Sequence, residues 1–109
     1  MTAILGVFAM GGDRRGPSET VGRRMLEAMR ARGGDVSEMR AFDGAMVAAS
    51  RYGWECAPDF AGDTLVLEWD GLVVAADASL YYRSELRAAL GRRGIVPSGD
   101  SAAHLIAAA

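Results

Sequence analysis

Two short β-type runs, residues 64–69 and 72–76, flank the dipeptide Asp70-Gly71. A two-residue connection of this kind needs positive φ at both central positions, which Asp-Gly tolerates, so the pair predicts a tight antiparallel hairpin. That commits the chain to at least one antiparallel sheet and to other elements that cover it. Residues 3–10, with Ile4, Val7 and Phe8 ahead of Gly11-Gly12, predict a buried strand that starts almost at the first residue. Residues 45–51, after the turn signal Asp43-Gly44, predict another. Residues 53–63 contain Pro58, have low β-propensity and predict a loop.

Three helices are expected around these strands. Gly16-Pro17-Ser18 opens the first, with Ser18 as N-cap. Val21, Met25, Leu26 and Met29 fall on its inner face and arginines on the other. Gly33-Gly34 stops it, with Arg30 and Arg32 in the last turn, where the helix dipole favours cations. Ser84 caps a second helix through Arg93, with Leu86, Ala89 and Leu90 inward and Gly94 as stop. Ser98-Gly99-Asp100-Ser101 opens a last helical run over residues 102–109, which ends without a cap or a polar exit and reads as an interruption.

The 109 residues suit one domain. A formal net charge of −2 supplies no counterion-release drive toward nucleic acid. All 12 cations are arginine, so no lysine is present to form a Schiff base or a phosphate-loop contact. A single cysteine, Cys56, allows no internal disulfide and no cysteine-based zinc site. It reads as a half-buried small apolar group. A single histidine, His104, makes a multi-histidine metal site hard to build, and it reads as a satisfied or exposed side chain. The first apolar run lacks a cationic start and is about half a membrane span, so neither signal peptide nor anchor is expected, and the expected compartment is the cytoplasm. Arg23-Arg24 and Arg92-Arg93 read as solvated helix surfaces.

The order of segments carries more. MTAILGVF, RRMLEAMRARGGD, DGLVV, DASLYYRSELRAAL and SGDSAAHLIAAA follow one another in the chain. This series resembles the N-terminal half of a class II glutamine amidotransferase domain, of the type fused to asparagine synthetases. That family opens Met-Cys-Gly-Ile-x-Gly-Val and carries Asn-Gly-Glu-Ile-Tyr-Asn-Tyr-Arg-Glu-Leu-Arg where this chain has Asp77 to Arg87. The resemblance covers nearly the whole chain. It implies an α+β, N-terminal-nucleophile hydrolase-like fold, an α-β-β-α sandwich with antiparallel sheets, of which residues 1–109 would form a single partial domain, the first half.

The family's chemistry uses an N-terminal cysteine whose own amine is the general base, and an Asn side chain with a Gly N–H as oxyanion donors. Carried over by the resemblance, the nucleophile position is Thr2, the oxyanion pair is Asp77 and Ala78, the carboxylate-binding arginine is Arg51 and the ammonium-binding aspartate is Asp100. The residues alone fit other roles: Thr2 an ordinary β-branched strand residue, Asp77 a turn residue, Arg51 a strand-end charge, Asp100 an N-cap. Loss of one oxyanion donor costs roughly 3–4 kcal/mol. An ionised Asp77 adds a repulsion of about 4 kcal/mol at ~4 Å and an effective dielectric of ~20. The expectation is therefore a degenerate, glutaminase-inactive domain of an asparagine-synthetase-like, ATP-dependent amide-forming enzyme. β-Lactam synthetases and lasso peptide cyclases are degenerate relatives of that kind.

No cofactor or metal is expected within these residues. ATP and magnesium would belong to a downstream synthetase domain, which is also the expected partner, and the parent's substrate would be a peptide or small carboxylate. Two alternatives stand beside this reading: an active glutamine amidotransferase with Thr2 as nucleophile, and a non-enzymatic half-domain that completes its sheets against a partner chain.

Overall fold

The computed structural model describes residues 2–9, 19–42 and 44–109. Its elements in chain order are β1 (Ala3–Phe8), α1 (Glu19–Ala28), a 3₁₀ turn (Arg30–Arg32), β2 (Val36–Phe42), β3 (Ala45–Arg51), a second 3₁₀ turn (Gly53–Cys56), β4 (Val66–Trp69), β5 (Leu72–Ala75), α2 (Arg83–Arg92) and α3 (Ala102–Ala108). The chain is α+β with two small antiparallel sheets, β1-β3-β2 and β4-β5.

β3 is the centre of the first sheet, antiparallel to β1 on one side and to β2 on the other. It is buried at nearly every position because both its faces are covered. One face, with Leu5, Met46 and Ala48, packs against Met25, Leu26 and Met29 of α1. On the other face Ala49 meets Leu65 and Val66, with Val73 and Ala75 of the hairpin behind them. The hairpin's far face presents Trp69 to Leu86 and Leu90 of α2 and to Leu105 and Ala108 of α3. The layers thus run helix, sheet, sheet, helix. A carboxylate ties the sheets together: Glu38 Oε2 on β2 accepts from the N–H groups of Leu65 (3.0 Å) and Val66 (2.8 Å).

The Asp70-Gly71 hairpin forms as the dipeptide predicts, with φ of 50° and 76° and Trp69 opposite Leu72. Its strands are shorter than expected, because the ladder begins at Val66 and ends at Ala75. β3 spans the expected residues. The first strand closes at Phe8 instead of Met10, and Ser18, Asp43 and the Gly11-Gly12 stop lie outside the described residues.

The expected helix boundaries and one expected loop are corrected. α1 ends at Ala28, because the chain tightens into i→i+3 bonds, Arg32 N–H to Met29 O and Gly33 N–H to Arg30 O. Arg30 and Arg32 therefore lie in the 3₁₀ turn, and Val21 is exposed while Gly22 takes its place against the methionines. α2 starts at Arg83 with Tyr82 at the N-cap, since the Tyr82 carbonyl already accepts from Leu86 N–H, and Ser84 sits inside the first turn. Residue 53 begins a 3₁₀ turn inside the expected loop. Gly94 does stop the second helix, at φ 74°, with Ile95 N–H closing on Leu90 O.

Gly33 is fixed by space as well as by φ. At φ 136°, a Cβ there would lie 2.5 Å from the Arg51 Cα. Gly91, on the exposed side of α2, would place a Cβ in open space. Gly33→Ala is expected to destabilise the fold by about 2 kcal/mol or more, from backbone strain and overpacking together. Gly91→Ala should stabilise it by about 0.5–1 kcal/mol through helix propensity. Urea unfolding of the two variants checks both signs.

Candidate functional site

The register of β1 on β3 pairs Ala3 with Ser50, and one step further sets Thr2 opposite Arg51. Directly opposed residues share a face, here the face turned to the second sheet. Arg51 is 0% exposed and Thr2 is 6% exposed. Arg51 Nη1 donates to Gly62 O at 2.9 Å and Nη2 to Ala76 O at 2.8 Å. Arg51 Nε and Thr2 Oγ1 have no hydrogen-bond partner among the described residues.

A buried guanidinium needs a counter-charge. The carboxylate of Glu55, in the 3₁₀ turn that follows β3, is near enough to feel the Arg51 charge, and its Oε2 accepts from Tyr52 N–H at 2.8 Å. Burial alone would raise the Glu55 carboxyl. Hydrogen bonds, the Tyr52 N–H among them, and nearby positive charge that includes Arg51 outweigh burial, and the group is held below its ordinary value of 4.5.

The five residues singled out from the sequence divide into two places. Thr2 and Arg51 are brought together. Asp77 follows directly on Ala76, the residue whose carbonyl Arg51 holds, and its side chain is exposed; Ala78 beside it is half-buried. Asp100 lies on the outer surface, its side chain 80% exposed and paired with Arg87 of α2. The N-cap of α3 is Ser101, so Asp100 does not cap that helix. Cys56 is half-buried against Ala49, Leu65 and Val66, as an apolar group.

An open groove of about 620 Å³ runs past Gly62, Thr64, Arg83, Asp100, Ser101 and His104. Ser101 Oγ and His104 Nδ1 lie 2.6 Å apart at its wall. The sequence reading took His104 alone and missed this pair, although the Ser-x-x-His spacing at a helix start brings the two side chains onto one face. Among the described residues, no group of three or more His, Cys, Asp and Glu side chains is placed to hold a metal ion. None of their helices is long and apolar enough to cross a membrane.

Comparison of the chain with protein-family models, with curated proteins and with solved structures finds no match.

The lowered Glu55 carboxyl fixes a pH dependence. A carboxylate with a depressed folded-state pKa adds stability that is present above its ordinary value and is lost as pH falls through the folded value. The wild-type chain should therefore lose stability below pH 4.5 more steeply than Glu55→Gln. The gap between them in urea unfolding is expected to be widest near neutrality and to close at low pH. An equal gap at every pH would overturn the depressed Glu55 carboxyl of the folded state.

Proposed function

We propose that this chain is a glutaminase-inactive, class II amidotransferase-like domain whose role is structural, packed against an ATP-dependent synthetase domain of the asparagine-synthetase-like kind. The helix-sheet-sheet-helix layering supports the N-terminal-nucleophile hydrolase reading, as does the pairing of the first strand with the strand that ends in Arg51. The observation that carries the inactivity is the state of Arg51.

In an active domain of this type, the arginine at this position would hold the substrate carboxylate. Here the Arg51 guanidinium is sealed from solvent, and both terminal nitrogens are spent on main-chain carbonyls. A carboxylate entering would strip Gly62 and Ala76 of their donors, and each buried carbonyl left unpaired costs about 1–3 kcal/mol. At the oxyanion position Asp77 offers an acceptor where a donor is needed. Developing negative charge would meet another anion rather than an N–H. Asp100, at the ammonium-binding position, is engaged by Arg87, and a substrate ammonium would compete with that guanidinium.

Thr2 retains a hydroxyl, and removal of Met1 would give it a free amine. For an unactivated amide such as glutamine, Thr2 would act with no free arginine to hold the substrate and with a carboxylate at the oxyanion position. On this reading the amide-forming chemistry, with its ATP and magnesium, belongs to the synthetase partner. The acyl acceptor there would be an amine of the substrate or free ammonia rather than ammonia released in this domain.

The test is direct. The chain with Thr2 verified as its first residue is incubated with L-glutamine, and glutamate is measured. Release at background, unchanged by Thr2→Ala, is expected. Release that Thr2→Ala abolishes would overturn the proposal in favour of a threonine-dependent amidotransferase.

A further inference from the structure

We propose that Ser101 and His104 form a nucleophile–base pair that accepts an acyl group from small, uncharged carboxylic esters bound in the groove beside them. Serine flanking the first turn of a helix ordinarily accepts a hydrogen bond from a first-turn N–H. Ser101 occupies that position before α3 and makes no such bond. Its hydroxyl is instead 2.6 Å from His104 Nδ1, within reach for proton transfer to that nitrogen.

The surrounding backbone leaves room for this arrangement. A Cβ on Gly62 would come 2.7 Å from the Ser101 Cβ, and a Cβ on Gly99 would come 2.7 Å from the His104 ring. Both side chains line the 620 Å³ groove, which is large enough for a small ester. Its charges are mixed. Arg83 and Asp63 carry opposite signs along its lining, and Asp100 is paired with Arg87. That mixture favours a neutral ligand over an ionic one.

In the reaction, Ser101 Oγ attacks the ester carbonyl and its proton passes to His104 Nδ1. The bond from the acyl carbon to the leaving oxygen breaks, and the departing alcohol takes that proton. Water, giving its proton to the same nitrogen, then cleaves the acyl-serine to the carboxylic acid and restores the serine hydroxyl. No carboxylate among the described residues bonds the far nitrogen of His104, so the pair is a dyad. It should react with activated acyl donors and slowly with ordinary esters.

Diisopropyl fluorophosphate tests the pair without knowledge of the natural ester, since attack forms the Ser101 Oγ–P bond and expels fluoride. Intact-mass measurement and peptide mapping of the 109-residue chain should find one adduct, on Ser101. His104→Gln should slow labelling by about 10²-fold or more. Gly99→Ala, which crowds the imidazole out of line, should slow it also. Absence of an adduct, an adduct on Tyr81, Tyr82 or Thr2 instead, or a Ser101 rate indifferent to His104→Gln each overturns the proposal. Mapping of the wild-type chain identifies the residue even if a variant fails to fold. A positive result leaves the glutamine assay unaffected, because Thr2 is not involved.

Discussion

A fully buried guanidinium sits where the two sheets meet, and the local structure is arranged to keep it hydrogen-bonded. Arg51 ends the central strand, and its two terminal nitrogens reach a loop carbonyl at Gly62 and the carbonyl just past β5 at Ala76. One side chain thereby connects the first sheet, the long loop and the exit of the second sheet. Burying a charge is costly unless its bonds are made. The nearby Glu55, and Gly33, which leaves no room for a Cβ against the Arg51 backbone, belong to the same arrangement. Hydrogen bonds to a charged donor are worth about 1.5–3 kcal/mol each. These two lie in a dry interior, so they hold segments far apart in sequence more firmly than the exposed Arg23–Glu19 and Arg30–Glu27 pairs can.

The same bonds explain why a ligand-binding role and a structural role compete at Arg51. A guanidinium that recognises a carboxylate must present its fork to an open space. Here the fork faces main-chain carbonyls, and Nε is buried without a hydrogen-bond partner among the described residues. Arg51 is a cross-brace between the layers.

How much of this the sequence discloses varies with the kind of signal. Asp70-Gly71 announced its hairpin because both residues tolerate positive φ, a purely local requirement. β3 was legible end to end because a central strand buried on both faces reads as one apolar run. β2 escaped notice for the opposite reason. It is an edge strand with Glu38 and Arg40 among its residues and is largely exposed, so it carries no apolar alternation. The ends of α1 and α2 moved because which carbonyl accepts first depends on the backbone at Met29 and Tyr82, not on the nearest serine or glycine. At the site, Thr2 and Arg51 are 49 positions apart, and only the β1–β3 register makes them neighbours. The Ser101–His104 pair lay within one helical turn. It escapes a reading that places the cap at Asp100 and weighs His104 alone.

Gly62 joins the inner charge layer to the outer groove. Its carbonyl faces inward and accepts from Arg51, while its bare Cα faces Ser101 at a distance no side chain would permit. Its φ of 83° is what lets the carbonyl and the Cα point in these two directions at once. The Ala61 carbonyl one residue earlier accepts from Ala102 N–H, so the start of α3 is fixed to the same stretch of loop. The position of Ser101 therefore depends on the loop that Arg51 holds from within. A change that lets the guanidinium retreat should shift the hydroxyl in the groove without touching it, which makes the buried charge a positioning element for the outer surface as well as a brace between the sheets.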